Sequence, residues 1–444
     1  MKKIIGILIC AFMITTLGTV LNIKYEKYKE NKAIQALKSK KIELKTVKYN
    51  NGFEDLMPLK NILKDKKIVA MGEATHGTKE FFQMKHRMFQ FLVEEMDYNI
   101  FGIEASMPDC VKINDYILYE KGDAKEAVAA MNFWTWNTKE VLEMVEWMRE
   151  YNKAHENKIK FYGFDMQSSS LAATNVIDYL KNVDPDYEVK FHSKLEEFND
   201  KKLDYVVEKK LPINDIKEII NNCDKKKDEY IKKSSKEKYE INNQNLKIIC
   251  EFYDIFGEKS SDFEKENKRD KYMAENIKWI LNHEKENSKI MIWAHNTHVA
   301  KQIDNFSNLD KEYETGNIKR MGSNLYDMYK DKIYIIGFEF NKGDFNAVVC
   351  NKETGNRTVE KCTLPSSEKG SGAYIFSKIS PVFFIDFQSC SKDKYLLDIL
   401  LASQMYHDIG ANFVNEKASL KSQVLSERYD GLIFIDTTSN AEPN

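Results

Sequence analysis

Two short stretches hold the side chains best suited to chemistry. KKIVAMGEATHG (66–77) carries Glu73 and His76, three residues apart in a turn framed by Gly72 and Gly77. KIMIWAHNTHV (289–299) carries His295 and His298, about 220 residues further on. An imidazole titrates near neutrality and can take a proton from water. A carboxylate beside it fixes its tautomer and stabilises the imidazolium that forms, so Glu73 and His76 read as an orienting acid and its base. Glu104, which closes NIFGIE, is expected to face the same crevice. His295 and His298 read as donors to a developing oxyanion or as holders of the water. The same histidines with Glu73 also offer enough ligands for Zn²⁺, but the spacing is not HExxH on a helix, so the metal signal alone is weak.

The helix after the turn, TKEFFQMKHRMFQFLVEEM, has Thr78 as its N-cap and Glu80 in its first turn. Phe81, Met88, Phe89 and Leu92 form its apolar stripe, and Lys85 falls inside that stripe. An ammonium there must snorkel or find a charge partner, with Glu73 or Glu104 within reach, and together with His295 and His298 it is expected to stabilise the oxyanion. His86 and Arg87 are expected to point away, with His86 at the surface. Phe133, Trp134 and Trp136 in NFWTWNT either wall a site for a bulky ligand or pack the core. No serine sits in a G-x-S-x-G frame, and no G-x-G-x-x-G or G-x-x-x-x-G-K-[ST] loop is present. Water activation is therefore favoured over a serine nucleophile, and nucleotide chemistry is disfavoured.

The elements that must position these groups share one form. IVAMGE, NIFGIE, IKFYGFD, IMIWAH, IYIIGFE, PVFFID and GLIFID are apolar runs that stop at Glu73, Glu104, Asp165, His295, Glu339, Asp386 and Asp436. Continuous apolar runs of this length are how strands buried on both faces look. The intervals between them mostly suit crossover helices, so the fold class is α/β, with a largely parallel β-sheet flanked by helices. Ligands bind such sheets beyond the carboxyl ends of the strands, where these endings gather. Residues 168–288 change texture: few glycines, dense charge and apolar residues at helical spacing predict a helical insertion whose lysine runs are solvated faces.

The start, Met-Lys-Lys followed by an apolar run over 4–23, reads as a secretory signal or, lacking a clear cleavage site, a signal-anchor. Residues 24–41 read as a polar stalk and 42–444 as the body. The body is thus expected outside the cytoplasm, with the membrane as partner only through an uncleaved segment. With 444 residues, 42% apolar, and a net charge of −2, the chain is globular and carries no footprint for nucleic acid. Its six body cysteines show no metal-finger spacing, although Cys350 and Cys362 could flank a loop.

GEATHGTKEFFQMKHR, FGIEAS, FYGFDMQ, RDKYMAENIKWI, WAHNTHV and YDGLIFID together resemble the erythromycin esterase family, in order from about Lys66 to Asp436. The resemblance implies hydrolysis of a macrolide lactone or related ester by activated water, the chemistry of antibiotic resistance. It implies His76 as base with Glu73, Glu104 as a second catalytic glutamate, and His295 and His298 lining the cleft. Lys85 falls where resistance esterases of this family can carry an arginine; lysine keeps the charge but loses the bidentate fork. The expected partner is a small-molecule ester or lactone, with no cofactor and no metal. Two other readings stay open: a metal-dependent hydrolase using the same histidines, and a non-catalytic extracytoplasmic binding protein for a bulky ligand.

Overall fold

The computed structural model describes residues 2–199, 210–306, 316–351, 353–400 and 402–444. Among them, one nine-stranded sheet is built from β1 (Ile42–Glu43), β2 (Ile68–Met71), β3 (Ile100–Ser106), β4 (Lys160–Asp165), β5 (Ile290–Trp293), β6 (Ile333–Cys350), β7 (Arg357–Leu364), β8 (Val382–Asp386) and β9 (Gly431–Thr438). The order is β1-β8-β9-β6-β2-β5-β3-β4, with β7 paired to β6 off this path. From β9 to β4 every pairing is parallel. The sheet is thus the largely parallel one the apolar runs predict.

The alternation of a strand explains why both faces are covered. Ile68 and Ala70 of β2 join the apolar cluster on one face, and Val69 and Met71 join the cluster on the other. Ile290 and Ile292 divide from Met291 and Trp293 of β5 in the same way. Helix α1 (Lys2–Lys40) ends on the first face, where Ala33 and Leu37 are buried. Helix α2 (Lys79–Met96) lies on the second, its Phe81, Phe82, Met88 and Phe89 fully covered. Between β4 and β5 the described residues form helices, ending in α3 (Asp262–His283), whose apolar residues pack on the first face.

Several expectations change. β8 runs antiparallel to β9, with Asp386 opposite Gly431, so Asp386 lies at the rim away from the other strand endings. An apolar run reads alike in either direction, and Asp386 there accepts from the Tyr334 hydroxyl at 2.8 Å. The segment read as a stalk continues α1, and its last turns are part of the core through Ala33 and Leu37. The apolar run before it is helical too, yet among the described residues no helix is long and apolar enough to cross a membrane. His86 is buried rather than at the surface, stacked on Tyr49 with ring centroids 4.1 Å apart, and burial pushes its pKa down to about 3. Arg87 is likewise buried, on Asp55 and the carbonyls of Thr46 and Gly52. Residues 46–55 therefore cover the helix face that the sequence pattern leaves to solvent. Cys350 and Cys362 sit on the β6–β7 hairpin opposite Arg357 and Phe345, not each other, and both are free thiols.

Candidate active site

The turn after β2 is bent by close approach. A Cβ on Gly72 would lie 2.2 Å from Asn296 Oδ1, and one on Gly77 would lie 2.1 Å from the Asn346 carbonyl. Asn296 in turn bridges the Phe338 amide and carbonyl at 3.0 and 2.7 Å. Its own N–H donates to the Glu73 carbonyl at 2.9 Å. The two motif stretches are thereby locked together beside β6. Residues 439–441 close the turn from outside: Ala441 N–H donates to the Gly77 carbonyl at 2.9 Å, and Ser439 N–H to Glu80 at 2.7 Å. Thr78 occupies the N-cap position of α2 without a capping bond from its side chain.

Glu73 has no exposed surface. His76 Nδ1 lies 2.6 Å from its Oε1, while Trp293 Nε1 donates to Oε2 at 2.7 Å and Lys85 Nζ pairs with the same oxygen. Burial works to raise the Glu73 carboxyl, but Lys85 and His76 hold it below the usual range, so it is a carboxylate. His76 therefore donates from Nδ1 and presents a bare Nε2 lone pair. Lys85 is fully buried against the rings of Trp293 and Phe338, 4.5 and 5.0 Å away. Burial lowers its pKa to about 8, against the pull of Glu73. It stands behind Glu73 rather than at the cavity, so the expectation that it touches a substrate oxyanion is corrected: its partner is the carboxylate.

Across the cleft a second carboxylate–imidazole pair forms. Asp270 Oδ1 lies 2.8 Å from His298 Nδ1, and Arg320 and the Met321 amide hold the same carboxylate. Burial opposes charge on His298, yet Asp270 and Glu104 push its pKa up to about 9. His298 Nε2 faces Glu104 Oε1 at 3.4 Å and Arg269 Nη1 at 3.1 Å. Arg269 grips Asp165 with Nε and Nη2 and reaches Glu104 Oε1 at 2.7 Å. Glu104 Oε2 takes the His295 N–H at 2.9 Å. Burial works to raise the Glu104 carboxyl, and His298 and Arg269 outweigh it, so Glu104 stays ionised.

His295 lies between the two pairs, its ring centroid 5.1 Å from that of His76. Its Nδ1 accepts from the Thr297 N–H at 3.3 Å, which puts the ring proton on Nε2. Burial lowers its pKa to about 4, so the ring is neutral. Among the described residues Nε2 has no hydrogen-bond partner; Asp408 Oδ1 is 3.5 Å away. An N–H donor is thus held beside His76.

His76, Glu104, His295 and His298 line one cavity of about 800 Å³. Phe133, Trp134, Trp136, Val348 and Val359 give it an apolar side. Trp136 serves as core and wall together: it is buried, donates to the Glu104 carbonyl at 2.9 Å, and meets the His76 ring edge-on. Among the described residues no group of three or more His, Cys, Asp or Glu is arranged to hold a metal ion. Both His298 nitrogens and His76 Nδ1 are already engaged, as described above. Sequence reasoning missed Arg269 and Asp270, although RDKYMAENIKWI contains both, and it missed the 408–410 segment, whose Gly410 carbonyl accepts the His76 N–H at 3.2 Å.

Among known proteins, the family described as Erythromycin esterase matches residues 93–438, beyond Glu73, His76 and Lys85. The putative hydrolase YbfO of Bacillus subtilis (strain 168) is 26% identical over 412 residues, 87% of each chain. Erythromycin esterase type II of Escherichia coli is 26% identical over 293 residues, 60% of this chain and 68% of that one. The crystal structure of a Bacillus cereus protein superposes with a TM-score of 0.80 at 26% identity, over 94% of this chain and 99% of that one.

Proposed function

The chain belongs to the erythromycin esterase family, and from that premise we propose that it hydrolyses a bulky ester or lactone with a water activated by His76. Hydrolase activity agrees with the family and with the relatives' names. The observation that carries the mechanism is the hydrogen bond from His76 Nδ1 to the buried Glu73 carboxylate, which leaves Nε2 free toward the cavity. In the proposed reaction His76 Nε2 takes a proton from water and the hydroxide attacks the carbonyl carbon. His295 Nε2–H donates to the oxyanion that forms. As the C–O bond breaks, the His298 imidazolium gives its proton to the leaving oxygen, and exchange with solvent resets both rings. Glu104, ionised between Arg269 and the His295 N–H, positions these groups rather than transferring a proton.

The apolar side of the cavity suits a large acyl portion, and a volume of about 800 Å³ admits a macrolide-sized ring. The test is mass spectrometry of erythromycin and a panel of lactones and esters, incubated with the parent protein and with His76→Asn. Gain of one water with the parent alone is the expected result. Full turnover by His76→Asn would sink the mechanism. The Met-Lys-Lys start and the following apolar run support a location outside the cytoplasm; digestion of the body by protease added to intact cells tests it, and full protection would reject it.

A further inference from the structure

Glu339 ends an apolar run as Glu73 does, yet the proposed reaction leaves it without a part. It stands on β6, which pairs in parallel with β2 on one side and β9 on the other. Glu339 Oε2 accepts the His407 N–H at 3.0 Å, and Oε1 lies 2.7 Å from His407 Nδ1. Oε1 also accepts the Phe340 N–H at 2.9 Å. With both oxygens already accepting backbone N–H groups, the ring contact is a further donation, from His407 Nδ1. Both residues are buried, and the His407 ring lies on Phe340 with centroids 4.6 Å apart. Neither side chain lines the cavity that holds His76 and His295.

What the pair holds is the start of the 408–410 segment. Asp408 takes the Thr297 hydroxyl with both oxygens, at 3.0 and 3.1 Å, and stands 3.5 Å from His295 Nε2. Ile409 N–H donates to the Ala74 carbonyl at 2.9 Å, and the Gly410 carbonyl accepts the His76 N–H at 3.2 Å. Three consecutive residues thus touch one or other of the two motif stretches. Their approach has little support from the main sheet. Gln404–His407 pairs with Leu420–Gln423 in a two-stranded ribbon separate from the nine strands. Such a ribbon is marginally stable by itself. On its other face Tyr406 packs against Phe376, which sets its depth. The Glu339 bonds are directional, and they tie the residue before Asp408 to a central strand.

We infer that Glu339 is a positioning residue for both histidines: through His407 it sets the 408–410 segment against His76 and His295. The inference rests on the hydrolase reading only in taking these histidines as the reacting ones.

Amide hydrogen exchange on the full chain, resolved to single residues by mass spectrometry, decides it. In Glu339→Gln the His76 and Ile409 amides should exchange at least about tenfold faster, because the carboxamide NH₂ must face a donor. The Asn296 and Ala441 amides, which donate to the Glu73 and Gly77 carbonyls, should keep the parent's rates. Faster exchange at all four would mean a general loss of stability and would overturn the proposal, as would parent rates at all four. Substitutions at His407 separate hydrogen bonding from packing. His407→Asn can still donate to Glu339 from near the place of Nδ1, whereas His407→Leu fills space against Phe340 and cannot donate. The Leu variant should repeat the pattern of Glu339→Gln and the Asn variant should not; the reverse order would overturn the proposal. Kinetics with 4-nitrophenyl 4-phenylbutyrate give a second reading: in Glu339→Gln kcat should fall at least about tenfold, with KM within about twofold. A change in KM alone would overturn it. If the parent leaves this ester intact, that counts against the hydrolase reading, and the exchange rates still decide the role of Glu339.

Discussion

Glu73 offers one oxygen to His76 Nδ1, at 2.6 Å, because Trp293 and Lys85 occupy the other. That division fixes which nitrogen of His76 faces the cavity. Glu73→Gln would keep the shape but not the charge that stabilises the imidazolium. We expect kcat to fall by at least about 100-fold with KM nearly unchanged, measured by steady-state kinetics on whichever ester proves active. A change confined to KM would mean that Glu73 acts on substrate binding instead.

Lys85→Met should destabilise the protein by about 3–5 kcal/mol at pH 7, because it leaves the Glu73 carboxylate buried and without its cation. Urea unfolding measures this directly. Lys85→Arg restores the charge but must fit a wider head between Trp293 and Phe338, and an intermediate loss is expected. Unchanged stability of the Met variant would show that Glu73 is held by other means.

The pH dependence follows from His298. Burial disfavours its charge, but Asp270 and Glu104 raise its pKa from 6.5 to about 9. A base whose folded pKa exceeds its unfolded one adds stability that is complete below about pH 6.5 and fades as pH rises through about 9. The span corresponds to something on the order of 3 kcal/mol. Unfolding free energies taken at pH 6 and pH 9.5 should therefore drop for the parent and drop less for Asp270→Asn. An equal drop in both would remove Asp270 as the cause. In the proposed reaction the same group sets an alkaline limb near pH 9 in kcat.

His295→Gln should lower kcat by about 10²–10³-fold if its Nε2–H meets the oxyanion, since that interaction forms only in the transition state. Rapid-quench or burst measurements can separate this from binding. A higher KM with normal kcat would assign His295 to ground-state recognition.

Much of this arrangement was legible in the sequence. Glu73, Glu104, Asp165 and His295 each follow a short apolar run, and a strand buried on both faces needs such a run whatever its neighbours. Lys85 on the buried stripe announced a charge partner. The rest depends on contacts that no local pattern records. Asp386 ends a run like the others, but strand direction is set by pairing with β9. Arg269 and Asp270 stand in a helix dense with lysine and glutamate, DFEKENKRDKYMAENIKWILNH, where two charges that pair inside the protein look like their solvated neighbours. His86 is buried because Tyr49, 37 positions earlier, returns to stack on it.

The clasp of residues 439–441 on the turn at 77–80 also has a temporal meaning. The turn that carries His76 leaves the ribosome early, and the residues that brace its Gly77 carbonyl and Glu80 are made more than 350 positions later. The turn thus gains these two contacts only after the strands that flank it have been made, whereas the Glu73 and Gly410 contacts of His76 do not depend on them.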